Sequence, residues 1–255
     1  MCLIDQSQII ELEQVASNAW IAEETERFGG WLLRANSGIT RRANSVLPVG
    51  PPPLPHDEAI EKAIEFYKER DLIPRFQMSE ASKPIELDRD LSERGFSVGL
   101  QVEIHTAAIN HLVQKEPAFD VLISNDISDG WMSVYSESSG YEHASMETRR
   151  DLMKRTSLQK AFALAKIDRE LAGVGFGVVE DKWLGLFNIA VHPSMRGRGV
   201  ALAVNTALAK WAHQRGARSA YLQVESEHIP ALKLYAKLGF QHLYTYWYRK
   251  LDEEE

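Results

Sequence analysis

The sequence has little cysteine: in a chain of 255 residues the single cysteine is Cys2. One thiol excludes a disulfide framework within the chain and a cysteine-rich metal site, and we expect no metal. No apolar run approaches the ~18 residues of a membrane-spanning helix. The first residues, 1–14, contain Asp5, Glu11 and Glu13 without the basic start of a secretory signal. We therefore expect a cytoplasmic protein without a membrane partner.

Basic residues are also scarce, with 29 Lys and Arg against 36 Asp and Glu, and the formal net charge is −7. Nucleic-acid binding requires a broad basic surface, which this balance argues against. Residues 192–218 reverse the trend, because they include Arg196, Arg198, Lys210, Arg215 and Arg218 and no acid. A local positive segment on an acidic chain favours a small polyanionic ligand.

The same segment predicts a strand, a tight loop and a helix. Apolar residues dominate 186–191, and apolar residues recur at helical spacing in 200–211. Between them, Gly197 and Gly199 allow positive φ angles, so that successive N–H groups can face one anion at the start of the helix. Neither a P-loop nor a G-x-G-x-x-G pattern is present. The segment nevertheless predicts a phosphate-binding loop.

This loop resembles the pyrophosphate loop of the GNAT N-acetyltransferases, R/Q-x-x-G-x-G/A, at Arg196, Gly199 and Ala201. Downstream, 221–225 is typical of a strand, and 231–240 resembles that family's A-x-x-L-Y-x-x-x-G-F helix and turn. The two motifs at this spacing cover about the last third of the chain. The resemblance implies an α/β (α+β) GNAT fold, with a mixed, mostly antiparallel central sheet flanked by helices.

The resemblance also implies acetyl-CoA as the cosubstrate and transfer of its acyl group to a primary amine. The implied cofactor-binding residues are Ile189, Ala190, Val191, Arg196, Gly197, Arg198, Gly199, Val200, Ala201 and His228. His228 stands where family members commonly carry Asn, and an imidazole lacks the paired donor and acceptor of an amide. Tyr235 matches the family's tyrosine that protonates the departing thiolate, so we expect it to be the general acid.

The sequence offers no single clear general base. Asn188 cannot take up a proton at pH 7, and His192 is expected to be a loop or cap residue. Glu225, at the end of its predicted strand, is the best-placed carboxylate and the predicted second catalytic residue; an exposed strand-end acid is the alternative interpretation. A base acting through water, or an acceptor amine that is already partly neutral, would remove the need for a side chain.

A helix, strand, helix and strand occur in the same order twice. Gly95 precedes Gly239 by 144 residues, and Pro84 precedes Pro230 by 146, each glycine being followed by Phe. The spacing predicts a tandem arrangement of two GNAT-like domains, and an unrelated α/β domain in front is the alternative. A chain of 255 residues is long enough for two ordinary domains.

The predicted domains are a degenerate copy in residues 1–115 and a catalytic domain in 116–255. In the first copy the loop that would correspond to the phosphate loop holds residues 48–53, with neither Arg nor paired glycines. Proline has no N–H to offer a phosphate. We therefore predict one cofactor per chain.

Three local predictions concern secondary structure. Residues 9–27 have helix-forming composition, and Asp57 is expected to be the N-cap of the following helix. The glycine-rich run 173–177 is interpreted as a strand packed close to a neighbour rather than as a phosphate site, because no helix follows it.

The sequence leaves the acceptor open. Glu142 and Glu147 would favour a cationic amine, such as a polyamine, lysine or an aminoglycoside. The arginines of 138–155, Arg149, Arg150 and Arg155, would favour an amino acid or another carboxylated amine. We favour a small metabolite amine, because an added domain would narrow the acceptor cleft. A protein-lysine acetyltransferase and a non-catalytic CoA-binding or interaction module are the alternatives, and the chain could be a monomer or a homodimer.

Overall fold

The computed structural model describes residues 5–117 and 119–251, so Cys2 lies outside the described residues. Contacts divide the chain into two units: Met1–Glu103 with Tyr244–Glu255, and Ile104–Leu243. This division follows packing, whereas the predicted boundary after residue 115 follows the order of the two copies and stays a prediction. Within the described ranges, no helix combines the length and the apolar character that crossing a membrane requires.

The first unit contains a three-stranded antiparallel sheet and a second group of helices and strands. Its elements are α1 (Gln6–Ala19), β1 (Glu24–Phe28), β2 (Trp31–Ala35), β3 (Leu47–Pro48), α2 (His56–Lys68), β4 (Arg75–Met78), α3 (Leu87–Glu93) and the first part of β5 (Phe96–Ala108). The small sheet has the order β1-β2-β3. Aromatic side chains form much of its core, where Trp31 lies 5.5 Å from Phe76, centre to centre and edge to face.

The prediction of one helix over 9–27 was wrong, because α1 ends at Ala19 and Glu24–Phe28 forms β1. β1 pairs with β2 throughout its length, and its only buried side chain is Phe28. Four exposed residues with helix-compatible composition therefore adopt a strand because of pairing with a neighbour, which local propensity does not report. The turn after Phe28 uses Gly29, at φ +62°.

The prediction that Asp57 caps α2 was also wrong. The helix begins one residue earlier, at His56, and its N-cap position is Pro55. Asp57 lies in the first turn, where its carboxylate accepts a hydrogen bond from Arg94 at 2.8 Å. A carboxylate in the first turn still interacts favourably with the helix dipole.

The second unit is a mixed sheet between helices. Its elements are α4 (Ile109–Val113), β6 (Val121–Ser124), α5 (Asp129–Ser139), α6 (Met146–Arg155), β7 (Gln159–Ile167), β8 (Glu170–Glu180), β9 (Trp183–Val191), α7 (Val200–His213), β10 (Ser219–Glu225) and α8 (Ile229–Lys237). The strand order is β10-β9-β8-β7-β6, parallel between β10 and β9 and antiparallel elsewhere. This confirms the predicted mixed, mostly antiparallel sheet. A last strand, β11 (Gln241–Leu251), pairs with β4 through its residues in the first unit.

The glycines of β8 bring α7 unusually close to the sheet. A Cβ atom added at Gly173 would lie 2.4 Å from a methyl group of Val200, and one added at Gly175 would lie 2.5 Å from a methyl group of Val204. The prediction that this run is a close-packed strand is confirmed. Val200 is the first residue of α7, so the close approach to β8 extends to the start of the helix.

The order of elements in the two copies agrees with the predicted repeat. The first copy runs α2, β4, α3 and β5, and the second runs α7, β10, α8 and β11. Both copies turn from helix to strand through a glycine with positive φ, +85° at Gly95 and +92° at Gly239. A side chain at this φ would be strained, so the same residue is required twice.

Candidate active site

Strands β9 and β10 are paired at their beginnings but not along their full length. The register of the pair ends at Leu186 and Leu222, although β9 continues to Val191 and β10 to Glu225. On its other side β9 stays paired with β8 as far as Val191. The last residues of β9 therefore present a strand edge toward the place where β10 has ended its pairing.

A β-bulge accompanies this divergence. The register of β8 with β9 shifts between Val174 and Phe176, whose partners are Ala190 and Phe187, so that β9 has one extra residue there. Asn188, inside the bulge, has φ +51°. A bulge bends its strand and increases the local twist, which accounts for the change of direction directly before Ile189.

The loop after β9 carries the glycines that the sequence singled out. A short 3-10 turn, Pro193–Met195, leads to Gly197 at φ +75° and Gly199 at φ +85°. A Cβ atom added at either glycine would meet nothing within 4 Å. These glycines therefore do not serve packing, and their backbone is open to a ligand.

The N-terminus of α7 follows directly and is not capped by a side chain of any described residue. Its N-cap is Gly199, and its first turn holds no acid. Arg196 and Arg198 are exposed, and neither forms an ion pair with a described carboxylate; Arg198 Nη1 lies 3.2 Å from Met195 Sδ. Unsatisfied N–H groups, the positive end of a helix dipole and two free cations form a site for an anion.

Tyr235 lies on α8 with 9% of its surface exposed. Its ring packs edge to face against Phe240, with centres 5.7 Å apart. Burial raises the pKa of the Tyr235 phenol to about 12, because the charged form loses hydration. The hydroxyl therefore keeps its proton throughout the physiological pH range.

His228 is the N-cap of α8, and its Nδ1 accepts a hydrogen bond from the Ala231 N–H at 3.2 Å. That bond assigns the ring proton of neutral His228 to Nε2. The backbone N–H of His228 donates to the Glu225 carbonyl at 2.8 Å, in the turn that joins β10 to α8. Glu225 has an exposed side chain at the end of β10. Glu225, His228 and Tyr235 thus follow one another along a single strand, turn and helix.

His192 has the predicted role of a loop and cap residue, because it is the N-cap of the 3-10 turn. Its Nδ1 lies 2.7 Å from Ser194 Oγ, and its Nε2 lies 3.3 Å from Glu137 Oε2 on α5. The contact with α5 was not predictable from the sequence. In the described part of the chain, no group of three or more His, Cys, Asp or Glu side chains is placed to hold a metal ion.

Helix α6 reaches the bulge of β9, and the sequence did not indicate this contact. Asn188 Nδ2 lies 3.1 Å from Met153 Sδ. One helical turn earlier, Arg149 is buried and stacks on Tyr141, with its guanidinium carbon 3.4 Å from the ring centre. Helical spacing places 149 and 153 on one face, which was the available signal.

A family described as "Probable histone acetyltransferase Rv0428c C-terminal" matches residues 6–249. The chain belongs to this family. Among similar relatives, the uncharacterized N-acetyltransferase YobR of Bacillus subtilis is 29% identical over 244 residues, which are 94% of this chain and 98% of YobR. The probable histone acetyltransferase Rv0428c of Mycobacterium tuberculosis is 25% identical over 232 residues, which are 90% of this chain and 70% of Rv0428c.

Solved structures share the fold along nearly the whole chain. A GCN5-related N-acetyltransferase from Kribbella flavida matches with a TM-score of 0.70 and 14% identity, over 99% of this chain and 98% of that one. A tandem GNAT protein from the clavulanic acid biosynthesis pathway matches with a TM-score of 0.61 and 14% identity, over 96% and 89%. The predicted GNAT fold is confirmed, and this chain is an acetyltransferase of the GNAT type.

Proposed function

We propose that this enzyme transfers an acetyl group from acetyl-CoA to the primary amine of a small molecule, with all cofactor contacts in residues 116–255. The proposal rests on three structural features that follow one another along β9 and the loop after it. The strand leaves β10 after Leu186, bulges at Asn188 and leads into open glycines at the start of α7. A strand edge followed by an anion site fits an extended arm that ends in a pyrophosphate.

The residues fit such a ligand in two stretches. Ile189, Ala190 and Val191 would pair with the amide groups of the pantetheine arm, as an added strand does. The loop would hold the pyrophosphate through Arg196, Gly197, Arg198, Gly199, Val200 and Ala201. The support for this assignment is the empty space at the two glycines, where a side chain would meet nothing within 4 Å. Nε2–H of His228 is the donor left for a ligand acceptor, since Nδ1 caps α8.

Acetyl-CoA supplies an activated thioester carbonyl and a thiolate leaving group. Tyr235 would donate a hydrogen bond to the departing sulfur. Complete proton transfer from a phenol with a pKa of about 12 to a thiolate, whose thiol has an ordinary pKa of about 8.5, is uphill by about 3.5 pKa units. Tyr235 therefore acts by stabilising negative charge as it develops, and complete transfer follows only when the sulfur becomes more basic in the site.

Glu225 is the proposed base, at the exposed end of the strand that precedes α8. An exposed carboxylate removes a proton through water more readily than by direct contact with a buried amine. Replacement of Glu225 by Gln should therefore lower kcat/KM most at low pH, where few acceptor amines are neutral. Equal kcat/KM values for Glu225→Gln and the wild type at every pH would remove Glu225 from the mechanism.

The proposal is tested by calorimetric titration with acetyl-CoA, followed by measurement of free thiol release with a panel of primary amines. Binding together with turnover of at least one small amine is the expected result. Binding without turnover of any amine, peptide or protein would support the non-catalytic module instead.

A protein-lysine acetyltransferase is the second candidate, and it is favoured by the name of the Mycobacterium tuberculosis relative, a probable histone acetyltransferase. The same assay distinguishes the two when folded histones and a lysine-rich peptide are included as acceptors. Turnover of these substrates with no turnover of small amines would replace the small-molecule proposal.

A further inference from the structure

Arg149 is a buried cation held by neutral groups. Only 9% of its surface is exposed. Its Nε–H donates to Ser145 Oγ at 3.1 Å, its guanidinium stacks on the ring of Tyr141, and it donates a hydrogen bond to the hydroxyl of Tyr135. No carboxylate of a described residue lies within ion-pair distance of Arg149. A buried charge without a counter-ion is costly, and here neutral groups alone offset that cost.

The neighbouring Arg150, in contrast, forms ordinary ion pairs with carboxylates. Its guanidinium is bonded to the carboxylate of Asp129 at 2.5 Å and lies 3.7 Å from that of Glu147. Both partners are largely exposed. Asp129 and Glu147 are thus engaged by Arg150. The two arginines are adjacent on α6 and chemically identical, but their environments differ.

The face of α6 that carries Arg149 also covers the bulge of β9. Met153, one turn further on, has its sulfur 3.1 Å from Asn188 Nδ2. Asn188 directly precedes Ile189, the first of the strand residues assigned to the pantetheine arm. Side chains four residues apart on a helix are neighbours, with Cβ atoms about 5–6 Å apart. Arg149 is therefore the helical neighbour of the residue that contacts β9 directly before the strand residues assigned to the pantetheine arm.

We propose that Arg149 binds a carboxylate of the acceptor, so that the substrate is a small amine that also carries a carboxylate, as an amino acid does. The inference rests on the proposed function. A guanidinium has five N–H donors, of which described side chains engage two, and its planar shape matches a carboxylate with two parallel hydrogen bonds. The ring of Tyr141, 47% exposed, covers the guanidinium and would turn aside to admit the ligand.

The substrate class has a physical consequence for specificity. An acceptor that lacks the carboxylate would leave the Arg149 charge buried without a counter-ion, and sites of this kind reject the deficient analogue strongly. A polyamine, an aminoglycoside and a lysine within a protein all lack a free carboxylate beside the acceptor arm. The inference therefore predicts that they are poor substrates.

The test compares kcat/KM for acceptor pairs that differ only in the carboxylate. Free amino acids with the amine at increasing distance (glycine, β-alanine, 4-aminobutyrate, 6-aminohexanoate and L-lysine) are measured against their carboxamides. The wild type should prefer at least one acid over its amide by ~100-fold or more. Arg149→Gln should remove most of that preference, by lowering kcat/KM for the acid and leaving the amide within about three-fold.

Two further variants keep the result interpretable. Arg149→Lys keeps the charge but loses the planar pair of N–H donors, so an intermediate preference for the acid is expected. This variant replaces Arg149→Gln in the test if Arg149→Gln does not fold. Arg150→Gln is the matched control and should keep the full preference. Equal use of acids and amides by the wild type, or an equal loss of both in the Arg149 variants, would overturn the inference.

Failure of the proposed function gives a different result. If acetyl-CoA binds and no amine of either set is acetylated, the acetyltransferase proposal for small amines fails. Thermal shift with the same acids and amides then tests Arg149 independently: stabilisation by an acid that is lost in Arg149→Gln supports the carboxylate site, and no stabilisation by any acid contradicts it.

Discussion

The two copies place a loop between a strand and a helix at matching points, and the two loops have opposite properties. In the first copy, residues 49–55 between β3 and α2 include four prolines, and the carbonyl of Pro51 accepts a hydrogen bond from Gly30 N–H at 2.7 Å. In the second copy, residues 192–199 between β9 and α7 contain two glycines with open space around them. The first loop packs against another segment of the chain, whereas the glycines of the second loop leave room for a ligand.

The comparison shows that glycine has two different uses here. A Cβ atom at Gly30 would lie 2.3 Å from the carbonyl carbon of Gly50, so this glycine allows two backbone segments to touch. At Gly197 and Gly199 the requirement is the positive φ angle alone. Substitutions at the two kinds of glycine should therefore separate stability from binding.

The largest expected effect is on stability, at the contact of Gly30 with the first loop. Gly30→Ala forces the new Cβ atom against the backbone of Gly50 and should cost about 3 kcal/mol of unfolding free energy, measured by chemical denaturation. Gly197→Ala is the matched control, because it meets no neighbour and should cost about 1 kcal/mol from φ strain. Equal losses in the two variants would contradict the distinction between packing glycines and open glycines.

The helices α3 and α8, which precede the glycine turns of the two copies, also differ, at the position of Tyr235. Counted back from the glycine turn, its counterpart in the first copy is Leu91, which is fully buried and has no proton to donate. Tyr235→Phe keeps the ring and its packing on Phe240, and kcat should fall ~100-fold with little change in acetyl-CoA affinity. If only KM changes, Tyr235 is a binding residue.

The raised pKa of Tyr235 gives a second measurement on the same variant. Because burial places this pKa at about 12, the phenol does not ionise between pH 6 and 10. The ratio of wild-type to Tyr235→Phe kcat should thus stay constant over that range. A ratio that collapses near pH 9 would show a phenol that ionises there.

The third largest effect concerns the negative charge of the ligand that the second loop is proposed to bind. Gly199→Asp should weaken acetyl-CoA binding at least ~10-fold, equivalent to about 1.4 kcal/mol, because it places a negative charge at the phosphate position. Gly199→Asn has the same shape and demands the same φ angle, so its smaller loss measures the steric part. Affinities of the two variants that agree within error would show that charge is not involved.

The smallest effect lies in the core of the first unit, which contains a buried acid. Glu13 accepts hydrogen bonds from Tyr244 and Gln77, and desolvation raises the pKa of Glu13 to about 7 despite these bonds. A folded-state pKa above the unfolded value means that stability is greatest below the unfolded pKa and is lost as pH rises through about 7. Between pH 6 and 8 the loss should be about 1 kcal/mol.

Denaturant unfolding of the wild type across this range measures the loss, and Glu13→Gln should abolish it because the amide does not titrate. A wild-type stability that rises from pH 6 to 8 in parallel with Glu13→Gln would contradict the assignment.

The motif-bearing part of the fold was predictable because its signals are local. Residues of β9, the glycine loop, α7 and α8 follow one another along the chain, and their apolar spacing and glycines suffice. The strand Glu24–Phe28 was not predictable, because four of its five side chains are exposed and only pairing with β2 makes it a strand. The positive φ of Asn188 also depends on the neighbouring strand rather than on its own sequence.

The special environment of Arg149 was hidden for a related reason. The sequence places it among other charges of α6, and its spacing from Met153 suggests a shared face. That its partners are Tyr135, Tyr141 and Ser145 rather than a carboxylate depends on how α5 and the following segment pack on α6. The predicted cofactor and catalytic residues remain proposals on a confirmed fold.

The central claim is that only the second loop binds the cosubstrate, and the number of sites tests it most directly. Calorimetric titration of the full chain with acetyl-CoA should give one site per chain, because the prolines of the first loop offer no N–H groups to a phosphate. A stoichiometry of two per chain would contradict the account, as would one site whose affinity is unchanged in a folded Gly199→Asp variant.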